Sequence, residues 1–159
     1  MKYVDEVKLN GKIVLLRVDF NVPLSPNLIV SDDQRLIACL PTIDYLLSEK
    51  CKIVLISHLG RPEGMSHKLS LRPVANKLHE LIASEEVMFL DDLTQTSKDQ
   101  IRDAKESIFM LENIRFYPEE QENDPVFTKK LSELGDIYVN DAFSVSHRKD
   151  ASVVGLPKI

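Results

Sequence analysis

Glycine is scarce in this chain, five residues in 159. Neither G-x-x-x-x-G-K-[ST] nor G-x-G-x-x-G occurs, so the sequence offers no backbone cradle for a nucleoside triphosphate. Cysteine is rarer still. Cys39 and Cys51 stand beside apolar residues without metal-ligand spacing, which reads as reduced core thiols in a cytoplasmic protein. Positive charge is in the minority: 20 Lys and Arg against 25 Asp and Glu, a net charge of −5. A nucleic-acid binder normally shows a basic face, so no nucleic-acid partner is expected. No apolar stretch is long enough to span a bilayer and no signal-peptide core lies near Met1, so no membrane partner is expected either. Repeats, low-complexity tracts and linker-like runs are also lacking. What is present is a 43% hydrophobic, 28% charged chain of the size of one domain with a full core.

Apolar, β-branched runs at Ile13–Val18, Lys52–Ser57, Val87–Leu90, Ser107–Leu111 and Ile137–Asn140 read as strands. Between them lie helical patterns. Ser31 is placed to cap a first helix with Asp32 and Asp33 in its first turn and a stripe of Leu36, Ile37, Leu40, Ile43, Leu46 and Leu47. Pro41 inside it can kink it. Ser70 precedes a second helix with Val74, Leu78, Leu81 and Ile82 inward. Ser97–Ala104 forms a weak third, and Pro125 opens a fourth over Pro125–Leu134. Strands alternating with helices imply an α/β fold, a doubly wound, mostly parallel sheet with helices on both faces in a Rossmann-like three-layer arrangement. Ser152–Ile159 reads as a connection towards a further element.

Polar residues gather directly after several strands. The stretches are R-V-D-F-N-V-P at Arg17–Pro23, S-H-L-G-R-P at Ser57–Pro62, E-N-I-R-F at Glu112–Phe116 and N-D-A-F-S-V-S-H-R at Asn140–Arg148, with D-D-Q-R at Asp32–Arg35 opening a helix. In an open parallel sheet the carboxyl ends of the strands share one edge, where ligands bind. Arg35, Arg61, Arg115 and Arg148 then converge on one cleft. Guanidinium groups pair bidentately with phosphate and carboxylate, so the cleft reads as a site for a small, multiply charged anion.

Each residue also has a plainer reading. Asp19 and Asn21 alternate with apolar residues and share one face of extended chain; they suit a hydroxylated ligand or an ordinary strand end. Arg35 opposes its helix dipole, which suggests either an external anion or a pair with Asp32 and Asp33. His58 and Arg61 flank Leu59 and Gly60, and glycine permits close approach to a ligand; a structural histidine is the alternative. Arg115 can meet an anion or pair with Glu119, Glu120 and Glu122, which read as a solvated loop. His67 and His79 read as loop and helix-surface residues. Asp141 and His147 near Ser144 and Ser146 do not make a hydrolase, because G-x-S-x-G is absent.

In this order, R-V-D-F-N-V-P, D-D-Q-R-L-I-A-C-L-P-T-I, S-H-L-G-R-P, L-E-N-I-R-F-Y-P-E-E and N-D-A-F-…-H-R-…-A-S-V-V-G resemble the N-terminal domain of phosphoglycerate kinases over nearly the whole chain. The resemblance implies one lobe, residues 1–159, of a cytoplasmic, monomeric, hinge-bending glycolytic kinase. Such an enzyme transfers phosphoryl reversibly between ATP and the carboxylate of 3-phosphoglycerate, giving ADP and 1,3-bisphosphoglycerate. It implies that MgATP or MgADP binds a C-terminal nucleotide domain, that this chain carries no cofactor or metal site, and that the chain alone is inactive. By position, Asp19 and Asn21 meet the hydroxyl and carboxyl end of the triose. His58, Arg61, Arg115 and Arg148 hold its phosphate. Arg35 lies nearest the carboxylate and the transferring group, the one catalytic position, while Arg17, His147 and Gly60 support the site. Two positions depart from the family pattern: Ser144 stands for a glycine, and Asp150 for a histidine. The competing readings are a stand-alone, non-catalytic binding module for phosphorylated metabolites and a structural α/β domain with solvated arginines.

Overall fold

A computed structural model describes residues 3–159. Five strands, β1 (Ile13–Arg17), β2 (Lys52–Ile56), β3 (Val87–Leu90), β4 (Ile108–Leu111) and β5 (Ile137–Asn140), form one sheet in the order β3-β4-β2-β1-β5. Every pairing is parallel. Parallel strands need crossover connections, and these are α1 (Gln34–Ser48), α2 (Arg72–Ile82), α3 (Lys98–Asp103), α4 (Pro118–Glu122) and α5 (Pro125–Ser132).

The two-residue alternation of a strand sorts the core into two layers. Val14, Leu16, Ile53, Leu55, Ile108 and Met110 face α1 and α2, where Leu36, Ile43, Leu46, Val74 and Leu78 complete one apolar cluster. Ile13, Leu15, Val54, Ile56, Phe109 and Leu111 face the other way, onto Ile101 of α3 and Phe127 and Leu131 of α5. The expected doubly wound sheet is therefore present, with helices on both faces. Chains leaving β1 and β2 cross one face, while those leaving β4 and β5 cross the other. Since β2 lies beside β4 and β1 beside β5, two crevices open along the carboxyl edge, the position that favours ligands in such sheets.

The local differences have physical causes. α1 begins at Gln34 with Asp33 at its N-cap and no side-chain cap, so Ser31 is not the cap and Asp32 and Asp33 precede the first turn. Asp32 Oδ1 instead accepts the Gln34 amide at 3.0 Å. α2 starts at Arg72 after Leu71; the Ser70 hydroxyl donates to Glu112 Oε2 at 2.7 Å while its oxygen accepts the Arg72 amide at 3.2 Å. β1, β2 and β4 are each one residue shorter than the apolar runs. α5 ends at Ser132. Beyond β5 the chain does not remain irregular: it forms a π-helix, Ala151–Gly155, and a 3-10 turn, Leu156–Lys158, with Ala151 and Leu156 buried in the second layer. Among the described residues no helix is long and apolar enough to cross a membrane.

Candidate anion site at the carboxyl edge of the sheet

Arg17 ends β1 and is fully buried (0% exposed). A buried guanidinium must satisfy its donors, and this one does so on four sides. Nε donates to Ser152 Oγ at 2.9 Å, Nη1 to the carbonyls of Val18 and Ile56, and Nη2 to His58 Nδ1 at 3.2 Å. Arginine has no acceptor to offer, so His58 Nδ1 accepts and its proton resides on Nε2. Burial, with the charges of Arg17 and Arg115, pushes the His58 pKa down to about 3. Both observations make His58 a neutral donor at physiological pH.

The chain after β2 is tied to its neighbours. Ser57 Oγ accepts the Phe20 amide at 3.0 Å and donates to the Val18 carbonyl at 3.1 Å. Gly60 has φ +63°, and a Cβ there would stand 2.9 Å from the Leu69 side chain. Its amide donates to Asn21 Oδ1 at 2.9 Å, and its carbonyl accepts from Arg115 Nη1 at 2.8 Å. Asn113 stitches the same region, with Nδ2 donating to Leu59 and Leu69 carbonyls and Oδ1 accepting the amides of Leu59 and Arg115.

Arg115, in a 3-10 turn at Ile114–Phe116, is 4% exposed. Only Nη1 is bonded; Nε and Nη2 have no hydrogen-bond partner among the described residues. Its nearest carboxylate is Asp150, Oδ2 to Nη2 3.9 Å. Burial first, then the charge of nearby Arg148, pulls its pKa down. Arg148 is near enough to act on Arg115 electrostatically, and two like charges, one with unpartnered donors, favour an anion between them.

A second pole lies around Asp19. Its Oδ2 pairs with Arg35 and accepts from Ser144, and its Oδ1 accepts the Asn21 amide at 3.2 Å. Burial raises the Asp19 pKa, but the bonds from Ser144 and Asn21 and the charge of Arg35 outweigh it, leaving the carboxyl below its usual range. Arg35 pairs with Asp19 rather than with Asp32 or Asp33. Asp19, Arg35, Cys39, Asp141, Phe143 and Ser144 help to line a cavity of about 270 Å³.

Arg61 and His147 are exposed and Arg148 is half-buried; their side chains make no hydrogen bond or ion pair among the described residues. The acidic segment after Arg115 is not uniformly solvated. Glu120 is 0% exposed, takes the Ser152 amide at 2.9 Å and its hydroxyl, and burial raises its pKa. Glu119 and Glu122 are the exposed members. The Glu120–Ser152–Arg17 link, like the roles of Ser57 and Asn113, was not readable from the sequence.

Fold and site together define a doubly wound α/β domain with a basic cluster on its carboxyl edge. A family model described as phosphoglycerate kinase matches residues 4–159. A phosphoglycerate kinase of a Hydrogenobaculum species is 47% identical over 159 residues, covering 99% of this chain and 40% of that protein. One from Helicobacter pylori is 48% identical, with 99% and 39% covered. The solved phosphoglycerate kinase of Coxiella burnetii superposes with a TM-score of 0.84 at 34% identity, covering 96% of this chain and 38% of that one. The chain belongs to the phosphoglycerate kinase family, and it spans about 40% of the length of these relatives.

Proposed function

We propose that residues 1–159 form the triose-binding lobe of a phosphoglycerate kinase. In that role they hold 3-phosphoglycerate or 1,3-bisphosphoglycerate while MgATP or MgADP is held by a nucleotide lobe. The observation that carries the reading is Arg115, buried with two open donors beside Arg148. It lies on the edge that also presents the neutral Nε2–H of His58. A phosphate between Arg115, Arg148 and His58 would gain charge-assisted bonds. Arg61, exposed in the loop beyond Gly60, is within the same stretch and would close over the phosphate. Asp19 and Asn21 would orient the hydroxyl and carboxyl end, with Gly60 fixing the loop and Arg17 and His147 contributing field.

The acceptor is a carboxylate, already ionised at neutral pH, so no general base is required. Transfer then depends on alignment and on neutralising charge on the moving phosphoryl group. Arg35, half-exposed on its pair with Asp19, would supply that charge, and closure of the two lobes would exclude water. Nucleotide is assigned to the other lobe because five glycines provide no phosphate loop here. We further assign the protein to the cytoplasm, as a monomer. Calorimetric titration tests the reading. 3-Phosphoglycerate is expected to bind the chain weakly and less well as salt rises, and ATP not measurably. ATP binding tighter than triose binding would overturn the lobe assignment. Equal, unsaturable responses to both would favour solvated arginines.

A further inference from the structure

Asp150 is a carboxylate built into a site for anions. It is 5% exposed. Its Oδ2 lies 3.9 Å from Arg115 Nη2, beyond hydrogen-bond reach, and neither atom bonds to another group among the described residues. The backbone around it is held at several points. The Asp150 carbonyl accepts the amides of Val153 and Val154 at 3.0 and 2.9 Å, anchoring the π-helix. Ser152, two residues on, is gripped by Arg17 and Glu120, and its carbonyl takes the Tyr138 hydroxyl at 2.7 Å. At the far end Gly155 fits so closely that a Cβ would stand 2.5 Å from Asn123 Oδ1 and 2.8 Å from Thr128 Oγ1. A segment pinned in this way holds the Asp150 backbone beside Arg115, with the carboxylate turned inward.

The charged groups that face Asp150 are Arg115 from the turn after β4, Arg17 from β1 and Glu120 from α4. Arg148 lies two residues before it and acts on Arg115 as well. Arg17 and Glu120 are already joined through Ser152. Asp150 is therefore left as the carboxylate of Arg115.

We propose that Asp150 is a fixed internal counter-ion of Arg115 and the residue that sets the affinity of the anion site. It rests on the reading of this edge as a triose-phosphate site. Without ligand, the carboxylate allows a guanidinium to be buried in its charged form. With ligand, it stays, and shares Arg115 with the incoming phosphate. Two anions on one guanidinium repel, so the site holds phosphate less tightly than its arginines alone would. A phosphate carrying one charge is penalised less than one carrying two.

The test compares the parent with Asp150→Asn, Asp150→Ser and Asp150→Glu, using inorganic phosphate and 3-phosphoglycerate as separate probes. Removing a like charge at roughly 6 Å, screened by salt and solvent, is expected to tighten both by about tenfold in the Asn and Ser variants. Asp150→Glu keeps the parent affinity. The gain should shrink as pH falls from about 7.5 to about 5.5 and each phosphate passes from dianion to monoanion, 3-phosphoglycerate at about pH 6 as a phosphomonoester and inorganic phosphate at higher pH. The uncharged variants should also melt below the parent in anion-free buffer and recover more than the parent when phosphate is added, because the ligand then supplies the missing counter-ion. Unchanged or weakened phosphate binding in both uncharged variants overturns the proposal and leaves Asp150 a structural residue. If inorganic phosphate tightens as expected but 3-phosphoglycerate binds no better than phosphate in any variant, the counter-ion role stands and the triose reading falls. If neither anion binds any of the four proteins, both fall.

Discussion

Arg17 and His58 illustrate how single residues acquire chemistry from burial. A histidine with an ordinary pKa would be partly charged near pH 6.5. Here Arg17 occupies Nδ1, and burial with two guanidiniums drives the pKa to about 3. A histidine whose folded pKa lies below its unfolded value binds its proton more readily when unfolded. Its contribution is therefore fully present above pH 6.5 and is lost as pH falls towards 3. Between pH 7 and pH 5 the loss amounts to about 2 kcal/mol. His58→Asn, which keeps an acceptor for Arg17, should lose about 2 kcal/mol less than the parent over that interval. Urea unfolding of both proteins at the two pH values measures it. Arg35 is a different case, since its side chain is half-exposed although Asp19 is largely buried, and solvent screening at the arginine end keeps the pair's contribution to stability small. Arg35→Ala should leave the melting temperature close to the parent's. In an enzyme carrying both lobes it should lower turnover by about 3–4 kcal/mol, the magnitude of losing one transition-state donor, with a smaller change in triose affinity. Unchanged turnover with a raised KM would make Arg35 a binding residue only.

Among the elements, the π-helix Ala151–Gly155 links fold to site. π-helices are rare and concentrate at functional sites. This one brings Asp150 and Ser152 to the basic cluster while burying Ala151 in the core layer of α3 and α5. Gly155→Ala would push a methyl group against α5 and the residue after α4. Overpacking of this kind costs about 1–3 kcal/mol. The shift should reach Ser152 and Asp150, so the variant is expected to combine a lower unfolding midpoint with an altered Kd for inorganic phosphate. A lower midpoint with parent-like phosphate binding would show that the π-helix does not position the site. Tethers of the same sort tie the β2 and β4 loops together: Asn113 joins them through three hydrogen bonds, and a fourth fixes its own loop at Arg115.

For the whole molecule, charge and topology separate. The chain is acidic overall, yet the crevices between β2 and β4 and between β1 and β5 gather Arg17, His58, Arg115 and Arg148. The field of this cluster is thus local, and its exposed part is screened within about 10 Å at 0.1 M salt. The 159-residue chain alone is expected to show no phosphoryl transfer in a coupled assay with ATP and 3-phosphoglycerate. Transfer should appear only when a nucleotide lobe is supplied. Turnover by the isolated chain would require a nucleotide site within these residues and would refute the division of labour.

The sequence by itself determined the five strands, the main helices, the two-faced sheet and the family. Apolar runs, periodicity and the ordered motifs are local properties, and each survives reading one segment at a time. The candidate residues after the strands were legible for the same reason, since the ends of parallel strands share an edge whatever the strand order. Only the tertiary structure decided which of those residues meet. It brought Arg35 to Asp19 instead of to Asp32 or Asp33, buried Glu120 out of an acidic run that looked solvated, and turned Asp150 inward onto Arg115. Those outcomes depend on contacts across sequence separations such as the 135 residues from Arg17 to Ser152. Burial and the electrostatics of a shared crevice choose such partners, and neither is a property of any one segment.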